Sequence, residues 1–178
     1  MKFTKILTLF DSLIVLGLCI MLIVAFGYQL TVHDLPCSMC VMSRMGIYAI
    51  AFGLVINLCR ERRQSNYMIV IIAAMVQIAI SLEFLVRHIV PGSGTYGSAV
   101  FGLHMYTWNF ITTFLIIVYS CIAGLLTPAN GTKCTSNFLI KIIIGILMLT
   151  LLANTVSTFI ECGPYSCPSD PTSYWLFN

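Results

Sequence analysis

Charged residues are scarce in this sequence. Only 8% of its 178 residues are Asp, Glu, Lys or Arg, whereas 59% are hydrophobic. A water-soluble domain carries about 25% charged residues, so the composition excludes a chain whose surface is mostly hydrated. The net charge of +3 is too small to indicate a nucleic-acid-binding surface. The composition therefore predicts a membrane protein with no nucleic-acid partner.

The apolar segments also lack the alternation of apolar and polar residues that marks strands of a membrane barrel. Helices satisfy their own backbone hydrogen bonds in lipid, and a spanning helix needs roughly 20 apolar residues. Five segments are long enough, at residues 6–28, 41–59, 67–88, 108–126 and 138–160. We predict an all-α membrane protein, a polytopic helical bundle that forms a single membrane domain over residues 1–178.

The positions of Lys and Arg predict the orientation of the bundle, because short basic loops stay in the cytoplasm. The basic residues on one side are Lys2, Lys5, Arg60, Arg62, Arg63, Lys133 and Lys141. The N-terminus is then cytoplasmic and, with five spans, the C-terminal tail at 161–178 lies outside. The first apolar segment is longer than the roughly 7–15 residues of a signal peptide core, so we expect an uncleaved span.

The eight cysteines divide by predicted compartment. Two close pairs face outward, namely Cys37 with Cys40 and Cys162 with Cys167, which we call the tail pair. The remaining cysteines lie within spans or on the cytoplasmic side, at Cys19, Cys59, Cys121 and Cys134. Four outward cysteines allow three connectivities, and the local one joins each close pair. A ring as small as Cys37–Cys40 stabilises a fold little, which favours exchange over a static staple.

Two metal-based readings of these cysteines remain as alternatives. A c-type haem requires C-x-x-C-H, but Val41 follows Cys40. A zinc ion with four cysteine ligands fits two pairs, yet bound zinc would quench the thiols. We therefore expect no metal. We also expect no flavin.

Arg44 lies one helical turn after Cys40, on the same helix face. The second helix is predicted to begin near Cys40, where the helix N-terminus favours a thiolate. An arginine inside an apolar span is costly and usually functional. It can stabilise the thiolate or donate to a carbonyl of a quinone; the alternative is a side chain that reaches lipid phosphates.

A second polar cluster ends the third apolar segment. Glu83 and Arg87 are spaced for an i,i+4 ion pair. His88 is either an ordinary interfacial histidine or a residue that binds, or relays protons for, the same electron carrier.

Pro36-Cys37-Ser-Met-Cys40-Val-Met-Ser-Arg44 resembles the signature of the disulfide bond formation protein B (DsbB) family. That signature is a proline before C-x-x-C and an arginine four residues after the second cysteine. Residues 102–108, Gly-Leu-His-Met-Tyr-Thr-Trp, resemble the stretch before the family's fourth helix, and His88 falls where the family carries a histidine. The resemblance covers about residues 5–127 and implies a four-helix core, to which this chain adds a fifth transmembrane helix.

The resemblance implies a thiol oxidase of the bacterial inner membrane. Such an enzyme reoxidises a periplasmic DsbA-like oxidase of the thioredoxin fold and passes the electrons to ubiquinone or menaquinone, supporting protein disulfide bond formation. Cys37 and Cys40 would form the quinone-coupled disulfide, with Cys40 facing the quinone and Cys37 exchanging with a second disulfide. Arg44 and His88 would bind the quinone.

The chain departs from the family in its second cysteine pair. In the family that pair lies between helices 3 and 4, but residues 89–107 here contain no cysteine. Our hypothesis is that the tail pair, Cys162 and Cys167, takes the partner-facing role in a periplasmic tail. Gly163 and Pro164 favour the turn that lets these two cysteines meet.

Two other functions remain open. The chain can be a non-catalytic membrane subunit or small transporter with structural disulfides, in which Gln77, Asn154 and Ser157 line a path. It can also be an oxidoreductase of the vitamin K epoxide reductase type, although the C-x-x-C of that class lies late in the chain. Residues 96–106 form either a short helix on the membrane surface or an apolar loop.

Overall fold

The computed structural model describes residues 2–31, 37–89, 99–128, 131–133, 138–164 and 167. Five helices dominate it: α1 (Lys2–Thr31), α2 (Ser38–Cys59), α3 (Gln64–Ile89), α4 (Met105–Leu126) and α5 (Phe138–Cys162). All five are long and apolar enough to cross a membrane. The prediction of an all-α polytopic membrane protein is confirmed. That residues 1–178 form a single domain stays a prediction.

In the described parts of the connections lie four two-residue strands: β1 (Glu61–Arg62), β2 (Ala99–Val100), β3 (Leu103–His104) and β4 (Thr132–Lys133). β1 pairs with β4 in antiparallel fashion, so the α2–α3 and α4–α5 connections meet at one end of the bundle. Cys37 and the end of α5 consequently lie at the other end. We call this second end the thiol end; it also holds the end of α3 and the start of α4.

The helices pack in chain order, with α5 added at one side. α3 packs against both α2 and α4, α1 packs against α2, and α5 packs against α1 and touches α2. The closest approach of α2 and α3 depends on two glycines. A Cβ at Gly46 would clash with Oε1 of Gln77, and one at Gly53 would lie 2.7 Å from Cγ2 of Val70. Small residues allow such approach between membrane helices.

The end opposite the thiol end is closed by a buried ion pair. Asp11 of α1 is fully buried and accepts a hydrogen bond from Arg62 at 2.8 Å, and Arg62 is 1% exposed. Tyr119 and Tyr67 also donate to this carboxylate, at 2.6 and 3.0 Å. Because a lone charge is costly in an apolar interior, these contacts tie α1, α3 and α4 to β1. Sequence reasoning gave Arg62 only a topological role.

Several element boundaries differ from the prediction. α2 begins three residues before the predicted residue 41, because Cys37 caps it. α5 continues through Cys162, so the tail predicted from residue 161 begins later. Residues 99–104 form a hairpin whose turn has positive φ at Phe101 and Gly102. The predicted surface helix is therefore wrong for these residues. The rest of the predicted tail, residues 168–178, lies outside the described part of the chain.

Candidate active site

Cys37 is the N-cap of α2. Its sulfur accepts a hydrogen bond from the backbone N–H of Cys40 at 3.3 Å, satisfying one of the donors that a helix start leaves unpaired. The sulfurs of Cys37 and Cys40 lie 2.9 Å apart, within hydrogen-bond distance of each other. The C-x-x-C spacing thus places both sulfurs in the first turn of one helix.

These contacts lower the pKa of the Cys37 thiol to about 6. The largest cause is the hydrogen bond from the Cys40 side chain, and backbone N–H groups at the helix start add to it, whereas burial opposes it. A thiolate on Cys37 therefore receives both an S–H and an N–H donor. This corrects the expectation that the helix N-terminus would favour the thiolate on Cys40, because the backbone donor of the first turn points to the sulfur of Cys37, the N-cap residue.

Arg44 turns its guanidinium into the bundle. It donates to Oε1 of Gln29 and Oδ1 of Asn154, both at 2.9 Å, and to the carbonyl of Ala25 at 3.3 Å. Gln29 and Ala25 belong to α1 and Asn154 belongs to α5, so Arg44 joins three helices. The alternative in which Arg44 reaches outward to lipid phosphates is wrong.

The contacts of Arg44 extend into a wider polar network. Gln29 donates to Ser157 at 2.7 Å, and Asn154 donates to the hydroxyl of Tyr48 at 2.8 Å. A separate hydrogen bond joins α3 to α2, where Gln77 donates to Ser43 at 3.1 Å. The three residues that a transporter would need along its path, Gln77, Asn154 and Ser157, all form hydrogen bonds between helices instead, as single polar residues in membrane bundles usually do.

The tail pair is joined. Cys162 and Cys167 form a disulfide with a Cα–Cα distance of 4.9 Å. Gly163 ends α5 with φ of 63°, and its N–H donates to the carbonyl of Phe159 at 2.9 Å, as in a left-handed helix cap. The turn expected at Gly163 and Pro164 is therefore present.

His88 lies at the thiol end, on the side of α3 and α4. Its Nδ1 donates to the carbonyl of Phe84 at 2.8 Å, and its ring stacks on Tyr106 with a centroid distance of 5.5 Å. Tyr106 in turn stacks on His104 at 5.3 Å. Within the described ranges, no hydrogen bond or ring contact joins His88 to Arg44 or to either cysteine of the C-x-x-C. The predicted Glu83–Arg87 ion pair is present at 2.6 Å, on the surface.

Sequence reasoning missed Glu161, which lies directly before the tail disulfide. It is 3% exposed, and neither carboxylate oxygen has a hydrogen-bond partner among the described residues. Its carboxylate interacts electrostatically with Arg44 and Cys37. The sequence does place an acidic residue directly after an apolar segment, and such residues are usually functional inside a membrane. The residue was missed because the fifth span was predicted to stop at residue 160.

The fold and this site define a polytopic helical membrane protein that carries a dithiol and a disulfide at the same end of its bundle. The family model described as "Disulfide bond formation protein DsbB" matches residues 8–96, half of the chain. The chain belongs to the DsbB family, and this membership implies disulfide oxidoreductase activity. The matched residues include most of α1, all of α2 and α3, and the C-x-x-C, whereas α4, α5 and the tail pair lie outside them. No curated protein and no solved structure matches the chain.

Proposed function

We propose that this protein is a quinone-dependent thiol oxidase of the bacterial inner membrane. It reoxidises a DsbA-like periplasmic dithiol of the thioredoxin fold and so supports protein disulfide bond formation. Its N-terminus is cytoplasmic and its tail pair is periplasmic. The observation that carries the proposal is the Cys37–Cys40 dithiol, one turn from the half-buried Arg44 and at the same end as the Cys162–Cys167 disulfide.

Electrons enter through the tail pair by thiol–disulfide exchange. A thiolate of the donor attacks the Cys162–Cys167 bond and forms a mixed disulfide with one tail cysteine. The second donor thiolate resolves it, which leaves the donor oxidised and the tail pair as a dithiol. That dithiol then reduces the Cys37–Cys40 disulfide by the same two steps.

The pKa of Cys37 suits this exchange. A thiol of low pKa leaves faster from a disulfide, and the Cys37 thiolate is held by two donors as soon as it forms. Cys37 is therefore the cysteine that exchanges with the tail pair, and Cys40, one turn from Arg44, faces the electron acceptor.

Polar groups on α2 and α3 suit a quinone, which supplies an acceptor for two electrons and two protons when it is bound. Of the five N–H groups of Arg44, three donate to described acceptors, which leaves two for a carbonyl oxygen. On α3, the hydroxyl of Ser81 is buried with no partner among the described residues, one turn from the ring of Phe84. Nε2 of His88 is also left for a ligand, since Nδ1 is bound to Phe84.

Turnover of the purified protein tests the proposal. With a soluble ubiquinone analogue and a reduced thioredoxin-fold dithiol, we expect quinol formation that Cys40→Ser abolishes. Replacing both tail cysteines by serine should stop donor oxidation while a small-molecule dithiol still drives quinol formation through Cys37 and Cys40.

Cys59→Ser is the matched control, because Cys59 is an exposed cysteine at the opposite end of α2. Unchanged turnover in Cys40→Ser would contradict the mechanism. If the variant without the tail pair still oxidises the donor, the tail pair has only a structural role.

A further inference from the structure

Glu161 is the one acidic side chain that the described structure buries close to the C-x-x-C. It shares a face of α5 with Asn154 and Ser157, since the spacings of three, four and seven residues all fall on one side of a helix. Both of those residues belong to the Arg44 network. The helix geometry therefore aims the Glu161 carboxylate at the junction of α1 and α2, one turn beyond Ser157 towards the thiol end.

The positive charge of Arg44 requires a negative charge nearby to balance it. The hydrogen-bond partners of Arg44 among the described residues, Gln29, Asn154 and the Ala25 carbonyl, are all neutral. A cation inside a membrane-spanning bundle is costly unless an opposite charge accompanies it. The titratable groups that face Glu161 from the elements packed against it are Arg44 of α2 and Cys37 at the α2 start, whereas α1 offers the neutral Gln29.

Two anions therefore compete for one cation. When Cys37 and Cys40 form a disulfide, the Glu161 carboxylate is the anion that neutralises Arg44. When the pair is reduced, the Cys37 thiolate supplies a second negative charge. If the carboxylate and the thiolate both stayed ionised, one buried negative charge would have no cation to balance it. Protonation of Glu161 removes that charge.

We propose that Glu161 is the proton-accepting residue of the exchange between the two cysteine pairs, taking up a thiol proton when the tail dithiol reduces the Cys37–Cys40 disulfide. The inference deepens the proposed function and rests on it. The negative charge next to Arg44 then moves from Glu161 to Cys37, and the net charge of the site does not change.

The protons and electrons balance as follows. Glu161 takes the proton of one tail thiol, and the resulting thiolate attacks Cys37, breaking the Cys37–Cys40 bond. Cys40 leaves as a thiolate and takes the proton of the second tail thiol. That second thiolate closes the Cys162–Cys167 bond and expels the Cys37 thiolate. Two electrons have moved, one proton is on Cys40, and the other is on Glu161.

Proton uptake measured during reduction of Cys37–Cys40 tests the inference. In a variant whose tail cysteines are both serine, the disulfide is equilibrated with a soluble dithiol couple between pH 7 and 8. Each proton taken up changes the equilibrium constant about tenfold per pH unit. A soluble dithiol whose thiols are both protonated releases two protons when it is oxidised, so the equilibrium constant should be nearly independent of pH with Glu161 present, where the protein takes up two protons. In Glu161→Gln the protein takes up one, and the equilibrium constant should rise about tenfold per pH unit. Infrared difference spectra should show a protonated carboxyl on reduction, absent in Glu161→Gln.

Kinetics provide a second readout in the complete chain. Glu161→Gln should slow electron transfer from the tail pair to Cys37–Cys40 by about a hundredfold, within the range of general acid–base catalysis, and should remove the loss of rate at low pH. Glu161→Asp should restore part of the rate. Glu83→Gln is the matched control, because Glu83 is an exposed carboxylate near the same end.

The inference is overturned if Glu161→Gln takes up as many protons as the parent and keeps its carboxyl signal. It is also overturned if the variant exchanges at the parent rate with the same pH profile. Either result leaves quinone turnover by the unmodified protein intact. If the unmodified protein fails to oxidise a thioredoxin-fold dithiol with quinone, the proposed function fails, while the proton count still decides the behaviour of Glu161.

Discussion

The ionisation of Cys37 gives the sharpest quantitative prediction. Its pKa is lowered from 9.0 to about 6, and three pKa units correspond to about 4 kcal/mol in favour of the thiolate. At pH 7 about nine-tenths of Cys37 is then ionised, against about one-hundredth of an unperturbed thiol. The preference is fully present above the ordinary thiol pKa and is lost as the pH falls through about 6.

The perturbation that tests this value is Cys40→Ala. It removes the S–H donor, the largest cause of the lowered pKa, and leaves the backbone N–H groups of the α2 start in place. A hydrogen bond to a charged group contributes about 1.5–3 kcal/mol, which corresponds to about one to two pKa units. We therefore expect Cys37 to titrate between about 7 and 8 in this variant.

The assay is the ultraviolet absorbance of the thiolate against pH, in protein that keeps only Cys37 and Cys40, with and without Cys40→Ala. Ser38→Ala is a matched control, because it changes a residue of the same turn whose side chain does not contact either sulfur in a described hydrogen bond. Titration of Cys37 near 9 in the parent would refute the reasoning. So would a midpoint that stays near 6 after the S–H donor has been removed.

Two further substitutions test the contacts that support the site. Arg44→Lys keeps the charge but loses the planar donors that reach Gln29 and Asn154 together. The rate of quinol formation, measured as turnover, should fall about tenfold. The loss of two hydrogen bonds should lower the free energy of unfolding, measured by denaturation in detergent, by about 1 kcal/mol. Gly46→Ala places a methyl group against Gln77; overpacking should cost about 1–3 kcal/mol, measured by thermal unfolding.

Each of these two substitutions has a matched control. Arg87→Lys changes an arginine whose ion pair is on the surface, so turnover should be preserved. Gly17→Ala adds a methyl group with no atom within 4 Å, so stability should hold or rise. Equal effects of the two arginine changes, or of the two glycine changes, would contradict the roles given to Arg44 and Gly46.

The sequence predicted the features that depend on hydropathy and spacing. Five apolar segments form five helices because each is long enough to span, and the two cysteine pairs share one end because an even number of spans, α2 to α5, lies between them. The Glu83–Arg87 pair followed from helical spacing alone.

Features that depend on helix ends and helix rotation were not predictable in the same way. Hydropathy marks a span only within a few residues, so the cap at Cys37 and the inclusion of Glu161 in α5 were both missed. The partners of Arg44 lie on α1 and α5, and only the packing of those helices decides which side chains face α2. The same holds for Asp11, whose partner Arg62 lies on a short strand far along the chain.

The order in which electrons move through the two cysteine pairs tests the account most directly. Oxidised protein would be mixed with one equivalent of a reduced thioredoxin-fold dithiol in the presence of quinone, quenched with acid at successive times, and mapped for the redox state of each cysteine pair. The account predicts that the Cys162–Cys167 pair is reduced first and Cys37–Cys40 second, and that quinol appears only afterwards. Quinol that forms while Cys37–Cys40 remains a disulfide throughout would contradict it.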